Sequence, residues 1–499
     1  EMRRRKRTMM LHRLMEQLKN NKKSVFNHAA QIIILLVVIK YFYDMINPII
    51  KVAQYSHPTM DDYWMTTYVH EQWLENHSVL GFIAAAFRYA IGIYKTWDGN
   101  FLSMFITSMS PAVFGDYAYS FTFYFMFVTF CIGSLAAMYA ILYRRFRMPL
   151  INCVSMALLF IAFFMNFLVN AGEGLYWWPG VANYTFFFGM FMFAHSMSAL
   201  YWESHRKVFL VIASIFMFLV GLGNPFTSLV SACLCAYEAA FTIYEKRTAK
   251  TLNWIPLACA VVGLIVVVAA PGNKSRMPIG HLSVFETIKG CFVDGTKFIN
   301  AMNKPPMYFY YGMTAIISFW SFYGCSDGME RKFKLPIPVS VLLLCLYYAS
   351  FSPTKYTQSG YYGRVLDTNF FVMMTMFTII IMYLCAWVAL WLKGRFNKAA
   401  VNYVVGFIAV CTVILSVKTL KKPDYLNTSV ASMAAGALQF GTVQEYDRIL
   451  DERYEELVNS PYWDVYITRA PYVPMFYHDD DSSRQAIADY YRKNVIIAE

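Results

Sequence analysis

The chain has 499 residues, of which 58% are hydrophobic, 18% aromatic and only 15% charged, with a formal net charge of +12. Soluble domains carry charge on about a quarter of their residues, so this composition excludes an ordinary soluble fold. Continuous apolar runs of roughly 17–25 residues recur along the chain and predict a polytopic, all-α membrane protein, because a membrane β-barrel would alternate apolar and polar residues.

The positive charge is unevenly distributed. Much of it lies in the first 23 residues and in short clusters between apolar runs, such as 144–147, 331–334 and 393–395. Clusters of this kind orient membrane helices by the positive-inside rule and contact anionic lipid head groups, so we expect no nucleic-acid partner. The ten cysteines lie mostly inside apolar runs and are interpreted as small buried hydrophobic residues.

The apolar runs define a topology. Residues 1–29 are predicted to form a basic cytoplasmic tail, and residues 30–420 a membrane core of about eleven transmembrane helices. The predicted crossings lie at about 30–50, 119–143, 150–170, 186–202, 208–221, 226–244, 254–270, 307–323, 337–351, 365–392 and 401–417.

The loops follow from the same topology. Residues 51–117 become the first extracytoplasmic loop, with amphipathic or re-entrant segments near 65–76 and 80–94. Residues 421–499 are polar and are predicted to form a small soluble extracytoplasmic domain. The basic loops then fall inside, except for lysines after the last crossing, and the polar motifs described below fall outside.

The stretch SHPTMDDYW, residues 56–64, contains the adjacent carboxylates Asp61 and Asp62 just after the first crossing. They could be an ordinary solvated pair. Alternatively, adjacent carboxylates raise each other's pKa, which suits a general base that takes a proton from a hydroxyl group. Oxygen ligands for a divalent cation are a third interpretation, and His57 is a candidate for tuning the pair.

Two outer loops present cations at the ends of helices. PGNKSR carries Lys274 and Arg276, and GYYGR carries Arg364 beside Tyr362. A single arginine near the bilayer often only extends toward lipid phosphates. Two arginines at such junctions predict a site that holds a phosphate group.

Aromatic and amide side chains are also concentrated in outer loops. EGLYWWPGVANY contains Glu173, Trp177 and Asn183, and TWDGN contains Trp97. Such rings commonly form an aromatic belt at the membrane surface. The same rings stack on sugar faces while carboxylates and amides bind hydroxyl groups, which is the alternative interpretation.

The order of these motifs resembles the GT-C class of membrane glycosyltransferases. An acidic pair in the first outer loop, W-x-G at 97–99, EGLYWWPG at 173–180, APGNKSR at 270–276 and Gly-Arg at 363–364 are similar to an uncharacterised bacterial family of surface-polysaccharide glycosyltransferases. Asn100 stands where related chains often carry arginine. The resemblance implies a GT-C-like bundle in the bacterial plasma membrane, a sugar donor linked to polyprenyl phosphate, and a polysaccharide or teichoic-acid-like acceptor.

The resemblance also assigns roles to the residues. Asp61 or Asp62 would act as the base in an inverting transfer. The donor phosphate would be held by Arg276, Arg364 and Lys274, and the sugars would be oriented by His57, Trp97, Glu173, Trp177, Asn183 and Tyr362. No cofactor is required by this scheme, although a divalent cation at Asp61 and Asp62 stays open. The alternatives are a transporter or flippase for lipid-linked sugars, a glycan ligase or polymerase, and a scaffold.

Overall fold

A computed structural model describes residues 31–246, 251–276, 281–323, 329–393, 395, 407, 429–476 and 483–498. The predicted cytoplasmic tail at 1–29 and the predicted eleventh crossing at 401–417, apart from residue 407, lie outside the described residues.

The described chain is almost entirely helical. The helices before the C-terminal segment are α1 (Gln31–Ala53), α2 (Asp61–Asn76), α3 (Val79–Thr96), α4 (Phe101–Thr107), α5 (Phe121–Ala137), α6 (Leu150–Asn166), α7 (Trp178–Gly180), α8 (Phe186–Ser204), α9 (Lys207–Gly221), α10 (Pro225–Lys246), α11 (Ile255–Val268), α12 (Asn273–Arg276), α13 (Val284–Met302), α14 (Pro305–Tyr323), α15 (Pro336–Ala349), α16 (Ser352–Thr357) and α17 (Gly363–Leu392). The C-terminal segment, residues 429–476 and 483–498, contains α18 (Val430–Gln439), α19 (Thr442–Asn459), β1 (Asp464–Thr468), α20 (Ser483–Tyr491) and β2 (Asn494–Ala498).

The helical membrane character predicted from composition is confirmed. Within the described ranges, six helices are long and apolar enough to cross a bilayer, namely Gln31–Ala53, Val79–Thr96, Asp116–Arg145, Pro225–Glu245, Pro336–Thr357 and Gly363–Leu392. Shorter apolar helices, including α6, α9 and the region of α11, accompany them. Helix α3 was expected to lie in the first outer loop, yet it has the length and hydropathy of a span. The count of eleven stays a prediction.

Helices of the bundle approach closely where glycines face each other. A Cβ atom on Gly133 of α5 would lie 2.2 Å from the carbonyl oxygen of Gly189 on α8. Gly221 of α9 and Gly263 of α11 make a similar approach, with 2.8 Å between a Cβ atom on Gly221 and the Cα atom of Gly263. Small residues bring helix backbones together where lipid supplies no hydrophobic driving force between helices, so these glycines fix helix pairs by packing.

One end of the bundle gathers charged residues from three separate helical segments. Arg145 donates to Thr242 Oγ1 at 2.9 Å and pairs with Glu245 at 3.3 Å. Lys332 lies 3.8 Å from Glu245 and donates to the Arg145 carbonyl oxygen. The basic clusters near 144–147 and 331–334 therefore lie together at this end.

The C-terminal segment packs directly on α2. Tyr63 lies in one buried cluster with residues of α19, β1, α20 and β2. The His70 ring stacks on Tyr490 at 4.1 Å, and the Tyr490 hydroxyl donates to the Ala112 carbonyl oxygen at 3.0 Å. Arg492 pairs with Glu71 at 2.9 Å. The segment also contains a two-stranded parallel sheet, β1 with β2, within an otherwise helical chain.

We expect Tyr63→Ala to loosen the C-terminal segment, because it removes a buried ring from the cluster shared with α2, at a cost of about 3 kcal/mol. Limited proteolysis of the purified protein should then release fragments of the segment earlier than in the wild type. Tyr466→Ala is the matched control, since the Tyr466 side chain on β1 is 63% exposed. Equal protease resistance of the two variants would contradict this packing.

Candidate functional site

The acidic pair begins α2. Met60 precedes the helix with φ of 51°, a conformation that non-glycine residues seldom adopt, and Asp61 and Asp62 occupy the first turn. Carboxylates are favoured there because the helix dipole is positive at its N-terminus. The Thr59 backbone N–H donates to Asp62 Oδ2 at 3.0 Å and closes the turn. The hydrogen bond from Thr59 to Asp62 thus stabilises the strained backbone conformation of Met60.

Asp62 is fully buried and joins separate parts of the chain. The Tyr119 hydroxyl donates to Asp62 Oδ2 at 2.6 Å, and Ser110 Oγ donates to Oδ1 at 3.3 Å. Tyr119 in turn accepts the backbone N–H of Trp178 at 2.9 Å. Burial raises the pKa of Asp62 to about 8, although the hydrogen bonds from Tyr119, Thr59 and Ser110 oppose the shift. This carboxyl group holds the site together and offers no surface to a substrate.

Asp61 has a different environment. It is half-buried and shares a face of α2 with Trp64, whose side chain is 47% exposed. The Trp64 ring meets Trp97 edge-on at 5.2 Å. The Tyr89 hydroxyl lies within electrostatic range of Asp61. Of the two carboxylates, Asp61 is the one that a ligand on this face would reach.

The loops TWDGN and PGNKSR form one surface. The Gly99 N–H donates to Asn273 Oδ1 at 2.9 Å, and Ser275 Oγ donates to the Thr96 carbonyl oxygen at 2.8 Å. The contact is possible because Gly99 lacks a side chain: a Cβ atom there would lie 2.1 Å from the Val267 carbonyl oxygen. Lys274 is exposed on this surface.

Trp97 and Lys274, predicted separately, therefore lie on adjoining loops. Arg276 ends α12, and its side chain lies outside the part of the chain that the structure describes.

A second group surrounds Arg364. Its guanidinium donates from NH1 to Glu173 Oε2 at 3.0 Å, and its backbone N–H donates to the same oxygen at 3.1 Å. The guanidinium carbon lies 5.4 Å from the Trp177 ring centroid and 5.2 Å from that of Tyr362. The side chain of Arg364 keeps 24% of its surface exposed, and Tyr362 is 58% exposed. The structure thus brings together four of the predicted site residues.

The two groups meet at the acidic stretch. Trp177 Nε1 donates to the Thr59 carbonyl oxygen at 3.1 Å, which connects the Arg364 group to the residues just before Asp61. On the other side, Trp64 connects Asp61 to Trp97. The first turn of α2 therefore lies between the two cation-bearing surfaces.

Several predicted sugar-binding residues are wall residues, that is, buried side chains that line the site from within the protein. Trp177, Glu173 and Asn183 are buried. Asn183 Nδ2 donates to Thr107 Oγ1 at 2.8 Å and to the Pro179 carbonyl oxygen at 2.7 Å. These side chains contact other parts of the protein. The exposed rings of the site are those of Trp64 and Tyr362, and Trp97 is half-buried.

His57 is also buried, and its partners are carboxylates. Its Nε2 lies 2.9 Å from Asp447 Oδ1 and its Nδ1 lies 3.4 Å from Asp116 Oδ2. Burial alone would lower the pKa of His57, but hydrogen bonds and charge attraction from Asp116 and Asp447 outweigh it and raise the pKa to about 9. A cavity of about 10 Å³, bordered by His57 and Trp177, has room for roughly one water molecule.

A group of side chains with metal-ligand spacing includes His57. Among the described residues, the His, Cys, Asp and Glu side chains whose donor atoms gather within 4.8 Å are His57, Asp447 and Asp451. The oxygens of Asp62 instead accept hydrogen bonds from three protein donors. Asp61 is not part of the group.

Sequence reasoning missed further buried polar residues. Asp367, three residues after Arg364, accepts the backbone N–H groups of Val169 and Asn170 at 2.7 and 3.1 Å. Asn170 Nδ2 donates to Glu173 Oε1 at 2.8 Å, so Asp367 and Asn170 position the counter-ion of Arg364. Asp367 lies inside a predicted crossing, and that burial was the available signal.

A polar pair also lies away from the acidic stretch. His195 Nδ1 lies 3.0 Å from Glu238 Oε1, and His195 Nε2 lies 3.2 Å from Ser231 Oγ. His195 and Glu238 border a largely apolar cavity of about 130 Å³ between the helices. Neither residue was singled out from the sequence.

No protein-family model and no curated protein matches the chain.

We expect Asp62→Asn to fold and to change how stability depends on pH. Its amide oxygen can accept from Thr59 and Tyr119, and its NH₂ group can donate to Ser110. In the wild type the folded pKa of about 8 exceeds the ordinary value of 3.8, so the folded state holds the proton more tightly. Stability should fall as pH rises between about 4 and 8, by up to about 1.4 kcal/mol per pH unit.

The measurement is the Tm of detergent-purified protein across that pH range. The variant lacks the titration, so its Tm should rise relative to the wild type as pH increases. Glu75→Gln, an exposed change on the same helix, is the control and should track the wild type. Parallel curves for wild type and Asp62→Asn would contradict the assignment.

Proposed function

We propose that the chain is an integral-membrane glycosyltransferase that transfers a sugar from a polyprenyl-phosphate donor to a cell-surface glycan acceptor at the outer face of the bacterial plasma membrane, with inversion at the anomeric carbon. The observation that carries the proposal is the position of Asp61. Asp61 is a half-buried carboxylate at the start of a helix, and it lies between the Arg364 group and the loop that carries Lys274. A sugar transfer in which phosphate is the leaving group needs such a base beside cations that bind the phosphate.

The two carboxylates divide the work. Asp61 acts as the general base and takes the proton of the acceptor hydroxyl group. The acceptor oxygen attacks the anomeric carbon as the bond from that carbon to the donor phosphate breaks, and the phosphate leaves with the electron pair. The proton passes from Asp61 to solvent. Asp62 stays buried and positions the first turn of α2.

The donor phosphate binds at Arg364. The guanidinium carries the buried counter-ion Glu173, and the Arg364 side chain keeps 24% of its surface exposed, so we propose that it receives the anion from that exposed part. Lys274 assists from the adjoining surface as a flexible charge. Arg276 follows it in the sequence. No step of this mechanism requires a metal.

The sugar rings stack on exposed aromatic side chains. Trp64, Trp97 and Tyr362 supply flat apolar faces beside Asp61 and Arg364. His57, Glu173, Trp177 and Asn183 support the site from below as wall residues. The C-terminal segment, packed on α2, lies where a polymeric acceptor could be guided.

One observation favours a second function, the transport of a lipid-linked sugar. The His195–Glu238 pair borders a cavity of about 130 Å³ between helices and away from the acidic stretch. Ionisable residues inside a helical bundle often mark a translocation path. Movement of a fluorescent polyprenyl-phosphate sugar across proteoliposomes without any transfer product would favour the transporter.

We expect Asp61→Asn to reduce sugar transfer by about 100-fold or more, because the amide cannot accept the acceptor proton. Purified protein in nanodiscs would be given a panel of polyprenyl-phosphate hexoses and a cell-wall glycan, and the released polyprenyl phosphate would be quantified. Binding of polyprenyl phosphate should be unchanged.

The matched control is Asp62→Asn, which changes the neighbouring carboxylate without removing the base. It should keep most of the transfer activity at neutral pH. Full activity of Asp61→Asn, or an equal loss in both variants, would overturn the base assignment.

We expect the loss of the Arg364 guanidinium to weaken binding of polyprenyl phosphate by about tenfold or more, because a charge-assisted hydrogen bond contributes roughly 1.5–3 kcal/mol. Arg364→Ala alone would leave Glu173 buried and unpaired. The test is therefore Arg364→Ala combined with Glu173→Gln, compared with Glu173→Gln alone. Native mass spectrometry of the lipid complex supplies the affinity without knowledge of the sugar. Equal affinities would place the donor phosphate elsewhere.

A further inference from the structure

We propose that His57, Asp447 and Asp451 form a binding site for a divalent transition-metal cation, Mn²⁺ or Zn²⁺, that links the loop before Asp61 to helix α19 of the C-terminal segment. This site is distinct from the acidic pair of the proposed transfer reaction.

The first argument is the arrangement of donor atoms. One imidazole nitrogen and one oxygen from each of the two carboxylates lie within 4.8 Å of one another. Ligands about 2.1 Å from a shared ion lie roughly 3–4 Å apart, so small side-chain movements are enough. Asp447 and Asp451 are one helical turn apart and therefore share a face of α19. The loop contributes the third ligand from a distant part of the sequence.

The second argument is the orientation of the imidazole. His57 is buried, and its Nδ1 faces Asp116, which is itself buried, at 3.4 Å. A metal-bound histidine almost always donates its other ring N–H to a carboxylate or carbonyl, which fixes the tautomer and turns the free nitrogen toward the ion. Asp116 supplies that partner from the turn before α5, and Nε2 points to Asp447 at 2.9 Å. An isolated acidic cluster would lack this arrangement.

The third argument is charge. The strongest charged neighbours of Asp451 are His57, Asp447, Asp116 and Glu455. Even a protonated His57 leaves this group with an excess of negative charge. A divalent cation offsets the excess.

The chemistry of the ligands selects the class of cation. Imidazole suits Zn²⁺, whereas carboxylates suit Mn²⁺. A site with one imidazole and two carboxylates therefore accepts both cations. Mg²⁺ prefers oxygen ligands and its own water, so it should compete poorly. Asp451 lies at the exposed edge of the group, which leaves room for water in the remaining coordination positions.

The test is titration of EDTA-treated, full-length protein with Mn²⁺ and with Zn²⁺ by isothermal calorimetry, together with the shift in Tm. We expect one saturable site, tighter at higher pH because the metal displaces a proton. Asp451→Asn should weaken the affinity by about tenfold or more. Asp451 is exposed, so this variant is expected to fold.

Glu456→Gln, an exposed change further along α19, is the matched control and should bind metal as the wild type does. X-ray absorption of the zinc complex should show a single imidazole ligand. Absence of saturable binding up to about 1 mM metal, or equal affinity in Asp451→Asn and Glu456→Gln, would overturn the proposal. Neither variant touches Asp61 or Arg364, so this outcome is separate from that of the transfer assay.

Discussion

The candidate site depends on the buried carboxyl group of Asp62. A carboxyl group without contact with water is costly unless its oxygens find donors, and here the donors come from three places in the chain: Thr59, Ser110 and Tyr119. The Tyr119 hydroxyl oxygen also accepts a hydrogen bond from the Trp178 backbone N–H, which extends the network to that residue. Satisfying one buried group therefore fixes the start of α2 against the N-terminal end of α5 and the segment around α7. The conformation of the first turn, including Asp61, follows from that requirement.

Two adjacent, chemically identical residues thereby acquire opposite properties. Successive residues on a helix point about 100° apart, so when Asp62 turns into the protein Asp61 must turn toward its edge. Burial raises the pKa of Asp62 to about 8, and such a group is mostly protonated near neutral pH. The neighbouring charge on Asp61 is then not opposed by a second full charge. The pair works as one fully buried structural group and one half-buried group.

Local patterns predicted much of the fold, since apolar run length determines where a membrane helix lies. The crossing predicted at 119–143 corresponds to a helical run over Asp116–Arg145, and that predicted at 365–392 to α17. The partners of His57 were not predictable in this way. Asp116 and Asp447 lie 59 and 390 residues away in the sequence, and no periodicity reports such contacts. The burial of Tyr63 was likewise not predictable, because the residues that cover it belong to the distant C-terminal segment.

Helix α2 is held on two sides by different forces. Toward the membrane core it is fixed by the hydrogen bonds of Asp62, which are directional and set the position of the first turn. Toward the C-terminal segment it is fixed by the packing of Tyr63 and the stacking of His70 on Tyr490, which depend on buried area. The face that carries Asp61 and Trp64 is the one left between these contacts. A change in how the C-terminal segment docks therefore alters the packing of the helix whose first turn carries Asp61.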